Sequence, residues 1–337
     1  MNLKKWISII LKYSAKYFSK TAKISQHMKP SPIVTMQFFQ RQPEGMLAGM
    51  DEVLELLKKH TDLSQYTVKY LPEGSVIHGT EVVLEFEGHY HEFGEYEGMI
   101  DGILSRSTSL ASNARDVVKA AKGKDVIFMG DRSDHYTNQE RDGYAIALGG
   151  ILTQVTDAHI ALHDGSAIGT IPHAMIQMHH GDIVKTLKSY RSNFPHEKLV
   201  ALVDFNNDVI SDSIKCFKTF GDELVAVRID TSEGISDAMF LNDEEFGVTP
   251  NLIKSLRNAL NHVEANKVKI IVSSGFNVEK INMFEETHTP VDVYGVGASL
   301  LKIKHTFSAD SVKLNGKELA KVGRKYQINT RLKLLTR

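Results

Sequence analysis

The sequence predicts an α/β protein whose larger part is a parallel sheet or barrel, and three observations carry this. After Gly123 short apolar runs recur: "DVIFMGDR", "HIALHDGSAIGT", "KLVALVDF", "ELVAVRID", "KIIVSSG" and "VDVYGVG". Their Val/Ile content and two-sided apolar character suit buried parallel strands. Each run ends on polar residues or glycine and is followed by a helical stretch, the alternation expected of stacked β-α units.

The first part, to about Glu97, is mixed. "GMDEVLELLKKH" has helical spacing, and "SVIHGTEVVLEFEGHYHEF" alternates as strands do, with glycine turns between them. A long amphipathic helix comes next, with Ile100, Ile103, Leu104, Leu110, Ala111, Ala114, Val117 and Val118 on its apolar face. Gly123 is placed to stop it. Further on, Thr249 suits an N-cap with Pro250 in the first turn. The tail "FSADSVKLNGKELAKVGRKYQ" reads as a strand, an Asn-Gly hairpin turn and a second strand, placed to pack back on the first part. A chain of 337 residues has room for two domains.

Composition narrows the function classes. Lys and Arg total 40 against 41 Asp and Glu, a net charge of −1, which argues against a general nucleic-acid-binding surface. A single cysteine, Cys216, excludes an intrachain disulfide framework and structural thiolate zinc, and fits a reducing compartment. The basic start "MNLKKWISIILKYSAKYFSK" has an apolar patch, Trp6 to Leu11, that is short for a signal-peptide core, and an interface helix is the expectation there. No run approaches the roughly 20 apolar residues of a membrane helix. A soluble cytoplasmic protein is expected.

The ends of the apolar runs carry the chemistry. In order they deliver Asp131 and Arg132; Thr170 and His173; Asp204; Arg228 and Asp230; Ser273 and Gly275; Gly295 and Gly297. In a barrel of parallel strands these C-terminal ends converge on one face, where barrel enzymes place their active sites. "SSGFNVEKI" and "YGVGASLL" each read as a glycine turn opening a helix, which suits phosphate after the last two strands; tight βα turns alone are the competing reading. Arg228 and Asp230, two apart on one strand, face the same side, as a phosphate site or as an internal salt bridge. Asp204 reads either as a helix N-cap or as the carboxylate that orients His173 and sets its tautomer. His159, His163, His179 and His180 lack ligand spacing, and no protein-bound metal site is expected.

The segments "KYFSKT", "VTMQFF", "DRSDHYTNQERDGYA", "GTIPHAMI", "LVDFNND", "VRIDTSEG", "SSGFNVEKI", "VDVYGVGASL" and "AKVGR", in this order, make the chain resemble nicotinate phosphoribosyltransferase, in the type II phosphoribosyltransferase group. The resemblance implies an irregular TIM-like (β/α) barrel domain over 116–305. It also implies an N-terminal α/β sandwich domain over 1–115, completed by the returning tail, 306–337. It implies a homodimer with shared active sites, and transfer of a phosphoribosyl group from phosphoribosyl pyrophosphate to nicotinate in NAD biosynthesis, with Mg2+ carried by the substrate phosphates and ATP as co-substrate. By the same resemblance His173 is the histidine phosphorylated by ATP, and Asp204 supports it. Arg132 and Arg228 bind phosphate or the nicotinate carboxylate, and Asp230 lies near ribose and magnesium. Thr170 and Ser273 line the site, Gly275, Gly295 and Gly297 hold the 5′-phosphate, and Tyr17 stacks on the pyridine ring. Two departures stand out: Ser14-Ala15 where the family commonly has Thr-Asp, and "RIDTSEG" for the usual "R-x-D-S-G". The competing expectations are an enzyme acting on quinolinate or nicotinamide and a catalytically silent phosphate-binding barrel. No run ends in a lysine, which argues against an aldolase-type barrel.

Overall fold

The computed structural model describes residues 11–240 and 245–336. The patch Trp6 to Leu11, for which an interface helix is expected, lies almost wholly outside them. The chain divides into two compact units, 1–112 with 302–337 and 113–301.

The first unit opens with α1 (Lys16–His27), then β1 (Ile33–Gln40), β2 (Glu44–Met46), α2 (Met50–His60), β3 (Tyr66–Tyr70), β4 (Val76–His78) and β5 (Val82–His89). The helix α3 (Glu97–Ala120) begins here and ends in the second unit; Gly123, at φ +88°, turns the chain after it. The tail returns as β13 (Phe307–Leu314), β14 (Lys317–Glu318) and β15 (Lys333–Leu334), numbered along the chain. Asn315 and Gly316 both have positive φ (47° and 77°), as the Asn-Gly hairpin requires. The strands form one antiparallel sheet in the order β14-β13-β1-β5-β3-β15, so the tail pairs with the first strand of the unit. Its core is aromatic: Phe86 packs edge-on against Phe38 and Tyr66 at centroid distances of 5.2 and 5.7 Å. Met50, Val53 and Leu57 of α2 are fully buried in the same core.

The second unit alternates strand and helix. Its strands are β6 (Asp125–Phe128), β7 (Thr153–Gln154), β8 (Ser166–Ala167), β9 (Leu199–Leu202), β10 (Leu224–Ile229), β11 (Lys269–Val272) and β12 (Val293–Val296). All neighbours are parallel, in the order β8-β7-β6-β12-β11-β10-β9. Residues from β6, β7, β9, β10, β11 and β12 line one common cavity of about 820 Å³ toward the strand starts, so the sheet curls around a shared interior. Ile127, Ala226, Ile271 and Val293 pack together inside it. Two residues further along, the same faces present Met129, Arg228, Ser273 and Gly295.

Among the helices of this unit are α4 (Gln139–Leu148), α5 (His173–Met178), α6 (Ile183–Asn193), α7 (Val209–Phe220), α8 (Pro250–His262) and α9 (Val278–Glu286). Thr249 caps α8 by accepting the N–H of Leu252 at 3.2 Å, as its position predicts.

One run differs from its reading as a strand. Of "HIALHDGSAIGT" only Ser166–Ala167 is extended, and 159–162 forms turns. The Thr156 hydroxyl accepts the His159 N–H at 3.1 Å, and the His159 carbonyl lies against α4 so closely that a Cβ on Gly143 would sit 1.9 Å from it. The N–H groups of Ala161 and His163 bond the carbonyls of Ala158 and Ile160, so turns rather than a ladder use this backbone. Between β6 and β8 the sheet takes in the short β7, which is not among the apolar runs.

Candidate active site

Four of the expected site residues are joined at the ends of the strands. Arg228, inward-facing and largely buried on β10, donates from Nε to Ser273 Oγ at 3.0 Å and from Nη1 to Thr170 Oγ1 at 3.2 Å. Its Nη2 pairs with Asp230 Oδ2 at 3.2 Å. Ser273 Oγ in turn donates to Asp230 Oδ1 at 2.6 Å. The guanidinium is thereby fixed by partners from three separate segments of the chain, which leaves it little freedom to lose on binding. The internal salt bridge expected as the competing reading of Arg228 and Asp230 is therefore present.

His173 and Asp204 form a second pair, 3.0 Å from Nε2 to Oδ2. The chain approaches His173 through Gly-Thr-Ile-Pro, whose Pro172 is extended. Pro172 occupies the N-cap of α5, and buried Ile171 and Ile176 anchor the segment on either side. His173 is the first residue of the helix, and its side chain stays 45% exposed, whereas Asp204 is only 6% exposed. Asp204 does not cap α7, since Asp208 does that by accepting the Ser211 N–H. Burial pushes the Asp204 carboxyl above the usual carboxylate range, and His173 pulls it back. Asp204 accepts a hydrogen bond from Nε2–H, which leaves Nδ1 of a neutral imidazole with its lone pair free.

The glycines divide. Gly275 has φ +69°, a conformation that favours glycine, and precedes α9, whose N-cap Asn277 accepts the Lys280 N–H at 2.8 Å. Gly295 lies inside β12, and a Cβ there would meet Met129 Sδ at 2.7 Å and Ser273 Cβ at 3.0 Å. A Cβ on Gly297 would meet the Met129 carbonyl at 2.8 Å, and the chain beyond Gly297 enters a 3-10 turn, Ala298–Leu301. Each glycine end thus opens a helix, the first an α-helix and the second only a single 3-10 turn. Close packing against Met129 explains small residues at 295 and 297 without a ligand.

Arg132 stands exposed in the turn after β6, and Tyr17 belongs to the first unit, 64% exposed on α1 with its ring 4.3 Å from that of Phe18. Three of the other histidines have structural partners. His159 is buried against the Phe128 ring, His163 meets the Gln154 amide at 3.0 Å, and His179 bonds the Met175 carbonyl. Two charged residues beside the site escaped the sequence reading. Glu233 comes directly after "RIDTS" and Lys280 lies within "SSGFNVEK"; both sit in turns or helix starts rather than at strand ends, so no periodicity marks them. Among the described residues no group of three or more His, Cys, Asp or Glu is arranged to hold a metal ion, and no helix is long and apolar enough to cross a membrane.

Comparison with known proteins places this architecture. Residues 16–108 match the family model for the N-terminal domain of quinolinate phosphoribosyl transferase. Two nicotinate phosphoribosyltransferases of Mycobacterium tuberculosis, pncB1 and pncB2, are 27% and 24% identical over 76% and 78% of this chain. The chain spans about 60% of the length of these curated relatives. Among solved structures, nicotinate-nucleotide pyrophosphorylase from Pyrococcus furiosus matches with a TM-score of 0.82 and 28% identity, covering 97% of this chain and 83% of that one. Human nicotinic acid phosphoribosyltransferase matches in fold, with a TM-score of 0.66 and 14% identity over 90% of this chain and 75% of that one. The chain is thus similar in sequence to these two nicotinate phosphoribosyltransferases and shares the fold of the two phosphoribosyl-transferring enzymes of known structure.

Proposed function

We propose that this chain is a nicotinate phosphoribosyltransferase of NAD biosynthesis or salvage, coupled to ATP hydrolysis through a phosphohistidine at His173. The observation that carries the reading is the His173–Asp204 pair at 3.0 Å, beside the network of Arg228. In the transfer step the pyridine nitrogen of nicotinate attacks C1 of the ribose, and the bond from C1 to pyrophosphate breaks with its electrons leaving on oxygen. Positive charge builds on the sugar and negative charge on the leaving group. Arg228, already fixed in place, stabilises the leaving group or the nicotinate carboxylate without reorganising. Asp230 faces the cationic ribose or the Mg2+ that the substrate phosphates carry in, and that ion screens the pyrophosphate charge.

In the coupling step Nδ1 of His173 attacks the γ-phosphorus of ATP and ADP departs. Asp204 holds the Nε2 proton and stabilises the charge that develops on the ring. Water later cleaves the phosphohistidine to release phosphate. Arg132, Thr170, Ser273, Tyr17, Gly275, Gly295 and Gly297 complete the substrate contacts in this reading, with Tyr17 stacking on the pyridine ring, in a cytoplasmic homodimer that shares its active sites.

A second reading, transfer to quinolinate, is favoured by the family model matched at 16–108. Quinolinate carries one more carboxylate and calls for more cationic groups, whereas Arg228 is already shared with Asp230. The deciding experiment supplies phosphoribosyl pyrophosphate and Mg2+ with nicotinate, nicotinamide or quinolinate, each with and without ATP. Nicotinate mononucleotide formed faster with ATP is the expected product. Turnover of quinolinate in its place would sink the nicotinate reading, and no product from any of the three would favour a silent homologue. His173→Ala should lose the ATP stimulation and keep its melting temperature. Full ATP-dependent rate in that variant would remove His173 from the coupling step.

A further inference from the structure

The glycine turn after β11 is flanked by Glu233 and Lys280. Lys280 is the third residue of α9, and its backbone is fixed by the Asn277 cap. Its side chain folds back over the Phe276 ring, 4.6 Å from the centroid, and Nζ donates to the Ser274 carbonyl at 3.2 Å. The ammonium therefore lies half-buried against the backbone of the turn itself. Burial lowers its pKa from the usual lysine range, and the Glu233 carboxylate opposes that shift. Glu233 comes from the exposed loop after β10. Its carboxylate lies so close over Gly275 that a Cβ built there would be 2.1 Å from Oε1.

This turn joins a left-handed glycine, a helix start and an ammonium, which together suit an anion. The group lying over it is a carboxylate of the same chain. A bound phosphate ester and that carboxylate are like charges that cannot share the turn at close range without a large cost. Glu233 is an exposed residue, so swinging its side chain away disturbs no packed core.

We propose that Lys280 supplies the side-chain charge that binds the substrate's phosphate ester at this turn, and that Glu233 is the resident anion which the phosphate displaces. The inference deepens the phosphoribosyltransferase reading and rests on it. It makes Lys280 a substrate-binding residue, and Glu233 a residue that sets how tightly a phosphate must bind to open the turn.

The test measures calorimetric binding of ribose 5-phosphate and of phosphoribosyl pyrophosphate to the full chain and to Glu233→Gln, Lys280→Met and Lys280→Arg. Removing the competing anion should tighten ribose 5-phosphate binding by about 3- to 10-fold. Removing the ammonium should weaken it by about 10-fold or more, and Lys280→Arg should keep most of the affinity. KM for phosphoribosyl pyrophosphate should track these changes while KM for nicotinate stays put, a split that general loosening of the fold would not produce. Melting temperatures identify a Lys280→Met protein that fails to fold, in which case Glu233→Gln and Lys280→Arg decide. Unchanged affinity in Glu233→Gln, or in folded Lys280→Met, overturns the proposal while leaving the phosphoribosyl reading intact. Wild-type protein that binds neither ligand overturns both.

Discussion

The two sheets of this protein use their residues differently. In the antiparallel sheet β1, β5 and β13 run eight residues each, and the face toward α2 is packed with Phe38, Phe86 and Leu84. In the parallel sheet β6, β9, β11 and β12 run only four, and the inner face is lined by the smaller Ala226, Val200 and Val293 before it turns polar at Arg228 and Ser273. Long strands with aromatic cores bury area. Short strands that end early free their last residues for chemistry, and the network at their ends replaces apolar packing. Stability should therefore concentrate in the first sheet and activity at the ends of the second.

The largest effect expected from breaking this contrast is in the first core. Phe86→Ala removes a ring that touches Phe38, Tyr66 and Phe93, and should cost about 3–5 kcal/mol of stability in denaturant unfolding. A loss below about 1 kcal/mol would mean the aromatic cluster is not the core that holds the sheet. Arg228→Ala should act chiefly on the reaction, lowering kcat/KM by about 100- to 1,000-fold, and should also lower the melting temperature because Asp230 loses its partner. An unchanged kcat/KM would place Arg228 outside the reaction.

A smaller effect concerns pH. Burial pushes Glu97 up to about 8 and Asp101 up to about 7, four residues apart on α3 in the first unit. Both are then protonated in the folded chain at pH values where the unfolded chain has released those protons. The folded state binds more protons, so stability is greatest near the ordinary carboxylate range and falls as pH rises toward about 8. Glu97→Gln should flatten that fall, seen as urea midpoints at pH 5 and pH 8 that lie closer together than in the wild type. An unaltered gap between the midpoints would show that Glu97 does not titrate in this way. The smallest effect is at a helix end: Thr249→Ala removes the cap of α8 and should cost about 1 kcal/mol, read from the same unfolding curves. A cost near zero there would show that the cap bond at Leu252 is replaced by water.

Local pattern alone determined much of this protein. Apolar spacing marks α2 and α3, Thr249-Pro250 marks the start of α8, and Asn315-Gly316 marks the hairpin, because each depends on contacts within a few residues. The alternation after Gly123 likewise implies a parallel sheet, and the chemistry-bearing residues stand at the ends of its runs. Only tertiary structure decided the rest. It folded "HIALHDG" into turns that pack on Gly143 of α4, and it gave the place beside β6 to a two-residue strand. It chose Asp208 over Asp204 as the cap of α7, so that Asp204 was free to meet His173. It also brought Glu233 to Gly275 and turned Lys280 back onto Ser274, from loops and helix starts that carry no period. Periodicity reports which face a residue takes within its own element. Which residue it meets across the sheet depends on strand order and register, and those are settled only when the whole interior packs.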